Sequence, residues 1–353
     1  MSATAAVQTP GKGQGKGQGN QHEKLGLVID RLLADMEKEL PPWRWPWTGS
    51  TTLPVSGVTH RPYRGFNTFV LWASAMVNGW TDNRFFTFAQ VRKLKGMVKK
   101  GESGTEVFLW RPAWRLAVPI NGKRWLYEGQ DVIPSPLPQG ARKVLLLRTF
   151  YVWNACQCEG LPAKPQTPAE PAGAEMGTVE TLLRELGAVV PVKIGDVASY
   201  VFMRDEITMP ERKAFKTVEG FYSTMFHEYS HASGHKSRLD RDTLVGMVDP
   251  LKYAVEELVA ESGAALVMAA LGLPYSTQHA AYLRGWASRL RGLPEAERHR
   301  TVMGAFQHGQ KAADWVLSGG VMPAGSAHNE GDSGPEVDKD GADEPSTPAQ
   351  AVA

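Results

Sequence analysis

His227-Glu228-Tyr229-Ser230-His231 reads H-E-x-x-H, and that spacing decides how the second half of the chain folds. Residues four apart share one face of an α-helix, so both imidazoles reach a single ion only if the stretch is helical. Glu228 then projects about 100° round the helix from His227, beside the ion rather than on it, where a general base belongs. The pattern is the zinc-binding helix signature of one large class of metallopeptidases. Helical spacing extends it from Thr217 to about Ser233.

A zinc ion that works on a bound water takes three protein ligands and keeps one position open. Tyr253-Ala254-Val255-Glu256-Glu257-Leu258-Val259-Ala260-Glu261 is the natural source of the third, because carboxylates in an otherwise apolar helix are costly unless something binds them. Glu257 and Glu261 share a face at i, i+4, so Glu257 is expected as ligand and Glu261 as acceptor of a ligating histidine's N–H. His235 is the rival third ligand, freed to turn if Gly234 ends the helix. The longer H-E-x-x-H-x-x-G-x-x-H pattern is excluded, since Ser237 stands at its last position. The expected cofactor is therefore one Zn2+, which lowers the pKa of its water toward ~7. Glu228 takes the water's proton and hands it to the leaving amine. Ala198 to Met203 reads as a strand able to pair with extended substrate. Tyr200 on it, with Tyr222, Tyr229 and Tyr253, are equally available to assist an oxyanion.

Three more helices are expected beyond the signature: Tyr253 to Leu271, Gln278 to Leu290 and Glu295 to Leu317. Ahead of it, a helix from Val179 to Leu186 precedes an extended segment at Val189 to Ile194. In the first half, Leu25, Val28, Leu32, Met36 and Leu40 recur at helical spacing until Pro41 and Pro42 stop them. Helical stretches at Thr68 to Val77 and Thr87 to Leu94 follow, with strand-like runs at Glu106 to Trp110, Val144 to Leu147 and Thr149 to Trp153. The fold class is α+β: a mixed N-terminal domain over residues 22–160 and a mainly helical domain with a small sheet over 179–318. A Pro/Ala-rich linker joins them at 161–178, a basic tail covers 1–21 and an acidic tail 319–353.

Length and composition suit this division, with 353 residues and 42% hydrophobic content. No window approaches the ~18 apolar residues of a membrane span, and the N-terminus lacks the apolar core of a secretory signal, so the expected location is cytoplasmic. Cys156 and Cys158 fit a reducing compartment and read as ordinary thiols.

The net charge of +2 conceals a strong asymmetry. Between Pro41 and Trp125 stand thirteen basic residues against Asp82, Glu102 and Glu106, while Glu330 to Glu344 is acidic. Eight of the eleven tryptophans fall in the same basic region. Single-stranded nucleic acid is held by a basic groove with aromatic faces on which bases stack. Trp43, Arg44 and Trp45 interleave both ingredients, and Arg64, Lys93, Lys95, Lys99 and Lys100 extend the basic surface. These are the expected DNA-binding residues. The GxxxxGK[ST] order is absent around Lys100, so nucleotide hydrolysis is not expected.

The chain resembles the plasmid-borne antirestriction proteins of the ArdC type from about His22 to Leu317. The resemblance rests on Pro42-Trp43-x-Trp45-Pro46-Trp47, Tyr63-Arg64-Gly65-x-Asn67, Thr87-Phe88-x-Gln90 and Val98-x-Lys100-Gly101-Glu102-x-Gly104-Thr105. In the second half it rests on Asp205-x-Ile207-x-Met209-Pro210, the H-E-x-x-H, Gly234-His235-x-Ser237-Arg238-Leu239 and Glu256 to Glu261. It implies a single-stranded-DNA-binding domain joined to a zincin-like metallopeptidase domain, protecting incoming DNA during conjugation, and the Glu257–Glu261 helix narrows the latter to the glutamate type. Ala232-Ser233 stand where the family often carries Trp-Thr, which leaves the ligands intact but changes the local packing. Expected partners are single-stranded DNA and DNA-bound protein substrates, with no membrane. The alternative is a non-catalytic DNA-binding shield whose metal is structural.

Overall fold

The computed structural model describes residues 16–38, 53–127, 132–164, 172–244, 249–275 and 280–321. The cluster at Trp43, Arg44 and Trp45 and the acidic tail beyond Val321 lie outside these residues. In chain order the elements of the first half are α1 (Lys16–Glu37), β1 (Val55–Ser56), α2 (Phe66–Asn78), β2 (Arg84–Thr87), α3 (Phe88–Lys93) and β3 (Met97–Val98). They continue with β4 (Thr105–Ile120), β5 (Lys123–Tyr127), β6 (Arg142–Asn154) and β7 (Cys158–Glu159). The second half carries α4 (Ala172–Val189), β8 (Val192–Ile194), β9 (Ser199–Val201), β10 (Glu206–Met209), α5 (Val218–Ala232), α6 (Pro250–Ala270), α7 (Ala280–Arg291) and α8 (Glu295–Leu317). The architecture is α+β. No described helix is long and apolar enough to cross a membrane.

A five-stranded sheet of order β1-β2-β6-β4-β5 organises the first half. Its longest antiparallel pairing joins β4 to β6 from Thr105↔Val152 to Arg115↔Arg142, well beyond the short runs that alternation suggests. Pro112 stands inside β4 opposite Leu145 of β6, next to Ala113, whose partner on β5 is Tyr127. Thr87 ends β2 and caps α3: its hydroxyl accepts from Gln90 N while Gln90 returns the bond to Thr87 N.

Two helices begin earlier than helical spacing predicts. α1 starts at Lys16, inside the stretch read as a tail, and α4 at Ala172, inside the stretch read as a linker. Apolar residues further along each helix are buried (Ile29, Leu32, Leu33 and Met36 in α1; Val179, Leu182 and Leu186 in α4). Extending an anchored helix costs one residue at a time, so weak formers such as Gly17 and Gly19 are carried along.

The two halves share one core. Ile29, Phe66, Phe69 and Trp72 of α1 and α2 belong to the same buried cluster as Leu258, Leu290, Phe306 and Trp315 of α6, α7 and α8. Phe306 stacks at 4.4 Å from Phe69 and 5.8 Å from Phe66. At the rim, Arg64 pairs with Asp314, and Arg291 pairs with Glu37. In the helical half α6 is buried along almost its whole length between α5 and α8. Two glycines set that spacing: a Cβ on Gly263 would stand 2.7 Å from Ser230 Oγ, and one on Gly309 2.1 Å from Ser262 Oγ. A three-stranded sheet, β8-β10-β9, flanks α5.

Candidate metal centre and basic face

α5 is launched by Thr217, whose hydroxyl accepts from Gly220 N at 3.0 Å, and it runs unbroken through the H-E-x-x-H stretch. α6 is launched by Asp249, capping Leu251 N at 2.8 Å, with Pro250 at the first helical position. The two helices bring ligand atoms of His227, His231 and Glu257 within 4.8 Å of one another. The two Nε2 atoms are 3.0 Å apart, and Glu257 approaches them at 3.6 and 3.9 Å. Two imidazoles and one carboxylate suit a divalent metal ion, and three ligands leave a position open.

The electrostatics agree with a cation site. Burial lowers the affinity of His231 for a proton, yet the Glu256 and Glu257 carboxylates outweigh it and lift its pKa to about 9. His227 is likewise raised against burial, through Glu257 and Glu261. Burial pushes Glu257 upward, but the two histidines hold it at about 2. A proton is drawn into the position that a metal ion fits.

Glu261 Oε1 lies 3.7 Å from His227 Nδ1, and Tyr275 donates its hydroxyl to the other Glu261 oxygen. Glu256, to which residue spacing gave no role, takes His231: its Oε1 is 3.1 Å from His231 Nδ1. It also accepts from Arg241 Nη2 at 2.6 Å and Thr243 Oγ1 at 2.6 Å, and Arg241 donates again to the Ser230 carbonyl at 2.8 Å. Glu256 is held at about 2: burial raises it, and Arg241 and His231 overcome that. His235 is drawn elsewhere, with Nδ1 2.8 Å from Ser237 Oγ and its ring 5.3 Å from Phe202.

Glu228 accepts from the backbone N–H of Tyr200 on β9 at 2.7 Å. Tyr200 OH donates to Asp205 Oδ1 at 2.7 Å, and Arg238 pairs with the same carboxylate while donating to the Ala232 carbonyl at 2.7 Å. Arg238 also lies 5.4 Å from the Trp315 ring. The hydroxyl of Tyr222 is committed to Glu180 at 2.6 Å and Tyr229 is fully buried, whereas Tyr253 hydrogen-bonds Glu257. Of the four tyrosines, Tyr253 is the one that touches a ligand.

On the opposite half, Lys93, Lys95, Lys99 and Lys100 are all exposed around α3 and β3. Lys99 Nζ donates to the Cys156 carbonyl at 2.9 Å. Arg64, expected among the DNA contacts, pairs with Asp314 on α8. Trp72 and Trp80 are core residues, and Arg115 stacks 5.7 Å from the Trp125 ring.

Residues 177–298 match the model of a zincin-like metallopeptidase family, and residues 24–128 match the N-terminal domain of the anti-restriction factor ArdC. The chain is 31% identical over 294 residues to the uncharacterized protein y4eC of Sinorhizobium fredii (strain NBRC 101917 / NGR234), covering 82% of this chain and 90% of that protein. It is also 31% identical over 301 residues to a DNA primase TraC of Escherichia coli, 83% of this chain but 20% of the primase. Among solved structures, the metal-free antirestriction ArdC protein from the R388 plasmid superposes with a TM-score of 0.64 at 30% identity, covering 84% of this chain and 97% of that one. Its Mn(II)-bound form gives 0.63 at 29% identity, covering 84% and 98%. The chain belongs to the ArdC family of antirestriction proteins.

Proposed function

We propose that this protein is a single-stranded-DNA-binding antirestriction protein carrying a zinc metallopeptidase-type site, protecting incoming plasmid DNA during conjugation. The observation that carries the reading is the convergence of His227, His231 and Glu257, with Glu228 one residue along the same helix. Residues 22–160 supply the DNA-binding surface through Lys93, Lys95, Lys99 and Lys100, and residues 179–318 supply the site. Zinc, when bound, acidifies a water and polarises a carbonyl. Glu228, oriented by the Tyr200 N–H, takes up a proton and delivers it to a leaving amine. Glu256 and Glu261 fix the ring orientation of His231 and His227. Substrates are proteins bound to the same DNA, since a shared strand raises their local concentration around the site.

The test is Glu228→Gln with metal content measured beside restriction of incoming DNA in recipient cells. Loss of protection with the metal retained supports proteolysis.

A second reading, a DNA-binding shield whose metal is structural, is favoured by one feature. The ligands cross-link α5 to α6 inside the common core, so an ion there would hold helices together whatever its chemistry. It expects full protection in Glu228→Gln and loss of protection when Lys99 and Lys100 are neutralised.

A further inference from the structure

Phe88, the first residue of α3, is 50% exposed although it sits on a well-ordered capping box. Its ring packs edge-on against Trp153 of β6 at 5.8 Å, and Tyr151 follows at 6.5 Å from the same indole. Trp153 in turn packs against the small core of Phe86, Val91 and Cys158. The loop from Lys99 to Gly104 closes over that indole so tightly that a Cβ on Gly104 would stand 2.9 Å from Trp153 Cε2. An exposed ring is thus buttressed by a half-buried one, and basic side chains lie on the same helix and on the loop over the indole. Arg92 lies one turn along α3 from Phe88 on the same face, and Lys99 and Lys100 begin the loop; all three are exposed. The nearest acid in that loop, Glu102, is taken up by Gln157 Nε2 at 2.8 Å.

We propose that Phe88, held by Trp153, is a base-stacking platform for single-stranded nucleic acid, with phosphates tracked by Arg92 of α3 and by Lys99 and Lys100 of the adjoining loop. This rests on the DNA-binding reading above and deepens it: the expected cluster at Trp43 and Trp45 is not needed for a stacking face. A rigid exposed ring loses little freedom when a base settles on it, and every base has a π-face, so the site is tolerant of sequence. In a duplex the faces of the bases are already stacked, so the platform selects single strands.

Binding of the full chain to a fluorescent oligo-dT strand, an oligo-rU strand, an abasic strand of the same length and the dT·dA duplex separates the contributions. Phe88→Ala weakens binding to oligo-dT roughly tenfold, as loss of one stack requires, and leaves the abasic strand unchanged. Phe88→Trp retains tight binding, which separates stacking from folding defects. An equal loss on oligo-rU extends the ligand to either sugar, and a loss confined to oligo-dT restricts it to DNA. Unchanged oligo-dT binding in Phe88→Ala, an equal loss on the abasic strand, or an equal loss on the duplex overturns the assignment. If the wild-type chain binds oligo-dT and Phe88→Ala matches it, only the platform fails; if the wild type binds no single strand, the DNA-binding reading fails as well.

Discussion

The backbone N–H of Tyr200 donates to the Glu228 carboxylate at 2.7 Å, so a strand edge orients the side chain that follows His227 on α5. Under the peptidase reading, Glu228→Gln keeps an oxygen for that N–H but cannot take up a proton. Hydrolysis of a peptide substrate should fall by roughly 10²–10⁴-fold, the usual loss for a general base. Metal content, measured by elemental analysis, should stay at the wild-type level. A variant that loses its metal would show that Glu228 supports the ligands themselves.

The carboxylates of α6 divide the labour, and removal of each should read out differently. Glu257→Ala removes the third donor, so metal content should drop while the fold, followed by circular dichroism in chelator, changes little. Glu261→Gln keeps an acceptor for Tyr275 but removes the charge beside His227 Nδ1, and should weaken metal affinity by about 10–100-fold, as outer partners of ligating histidines do. Equal effects of the two substitutions would contradict the division.

Glu256 carries the larger structural load. Its partner Arg241 has a side chain only 1% exposed, so Glu256→Ala would strand a guanidinium inside the protein. Breaking a buried pair from one side costs about 3–5 kcal/mol. Urea unfolding with chelator present in both samples should show a loss of that size, independent of metal. A loss below about 1 kcal/mol would mean that water reaches Arg241 as readily as it reaches a surface pair.

How much of this could be read from the chain follows from how local each relationship is. The H-E-x-x-H helix and the Glu257–Glu261 face depend on spacing within one helix, so periodicity alone indicates them. Glu256 escaped because its role depends on how α6 crosses α5, which brings a residue one position off the expected face onto His231. The charge pattern along the chain places Arg64 in the basic region, and no count reveals that Asp314, 250 residues later, stands opposite it. Phe88 and Trp153 meet only through the pairing of β2 with β6, so a search for clustered tryptophans passed over them.

The proposed DNA-binding role makes a salt-dependent prediction. Each phosphate neutralised by a lysine adds about 0.7 to the slope of log K against log salt for a single strand. Lys99→Ala with Lys100→Ala should therefore lower the slope by about 1.4. Arg64→Ala, already engaged by Asp314, should leave it unchanged. A drop in slope for Arg64→Ala would show that the ion pair opens to bind phosphate.

Asp205 ties the strand edge beside Glu228 to the end of α5, and it should do so in a pH-dependent way. Burial raises its pKa, but hydrogen bonds from Arg238 and Tyr200 win and hold it below the ordinary carboxylate range. A depressed pKa contributes stability that is full above the unfolded value of about 3.9 and is lost as pH falls through the folded value. Asp205→Asn keeps the shape and removes the charge. The stability gap between wild type and Asp205→Asn, from urea midpoints, should be constant from neutral pH to about 5 and then close on further acidification. A gap that persists undiminished at the acid end would assign the effect to packing, leaving the Arg238–Asp205 charge pair without weight in holding Tyr200 against Glu228.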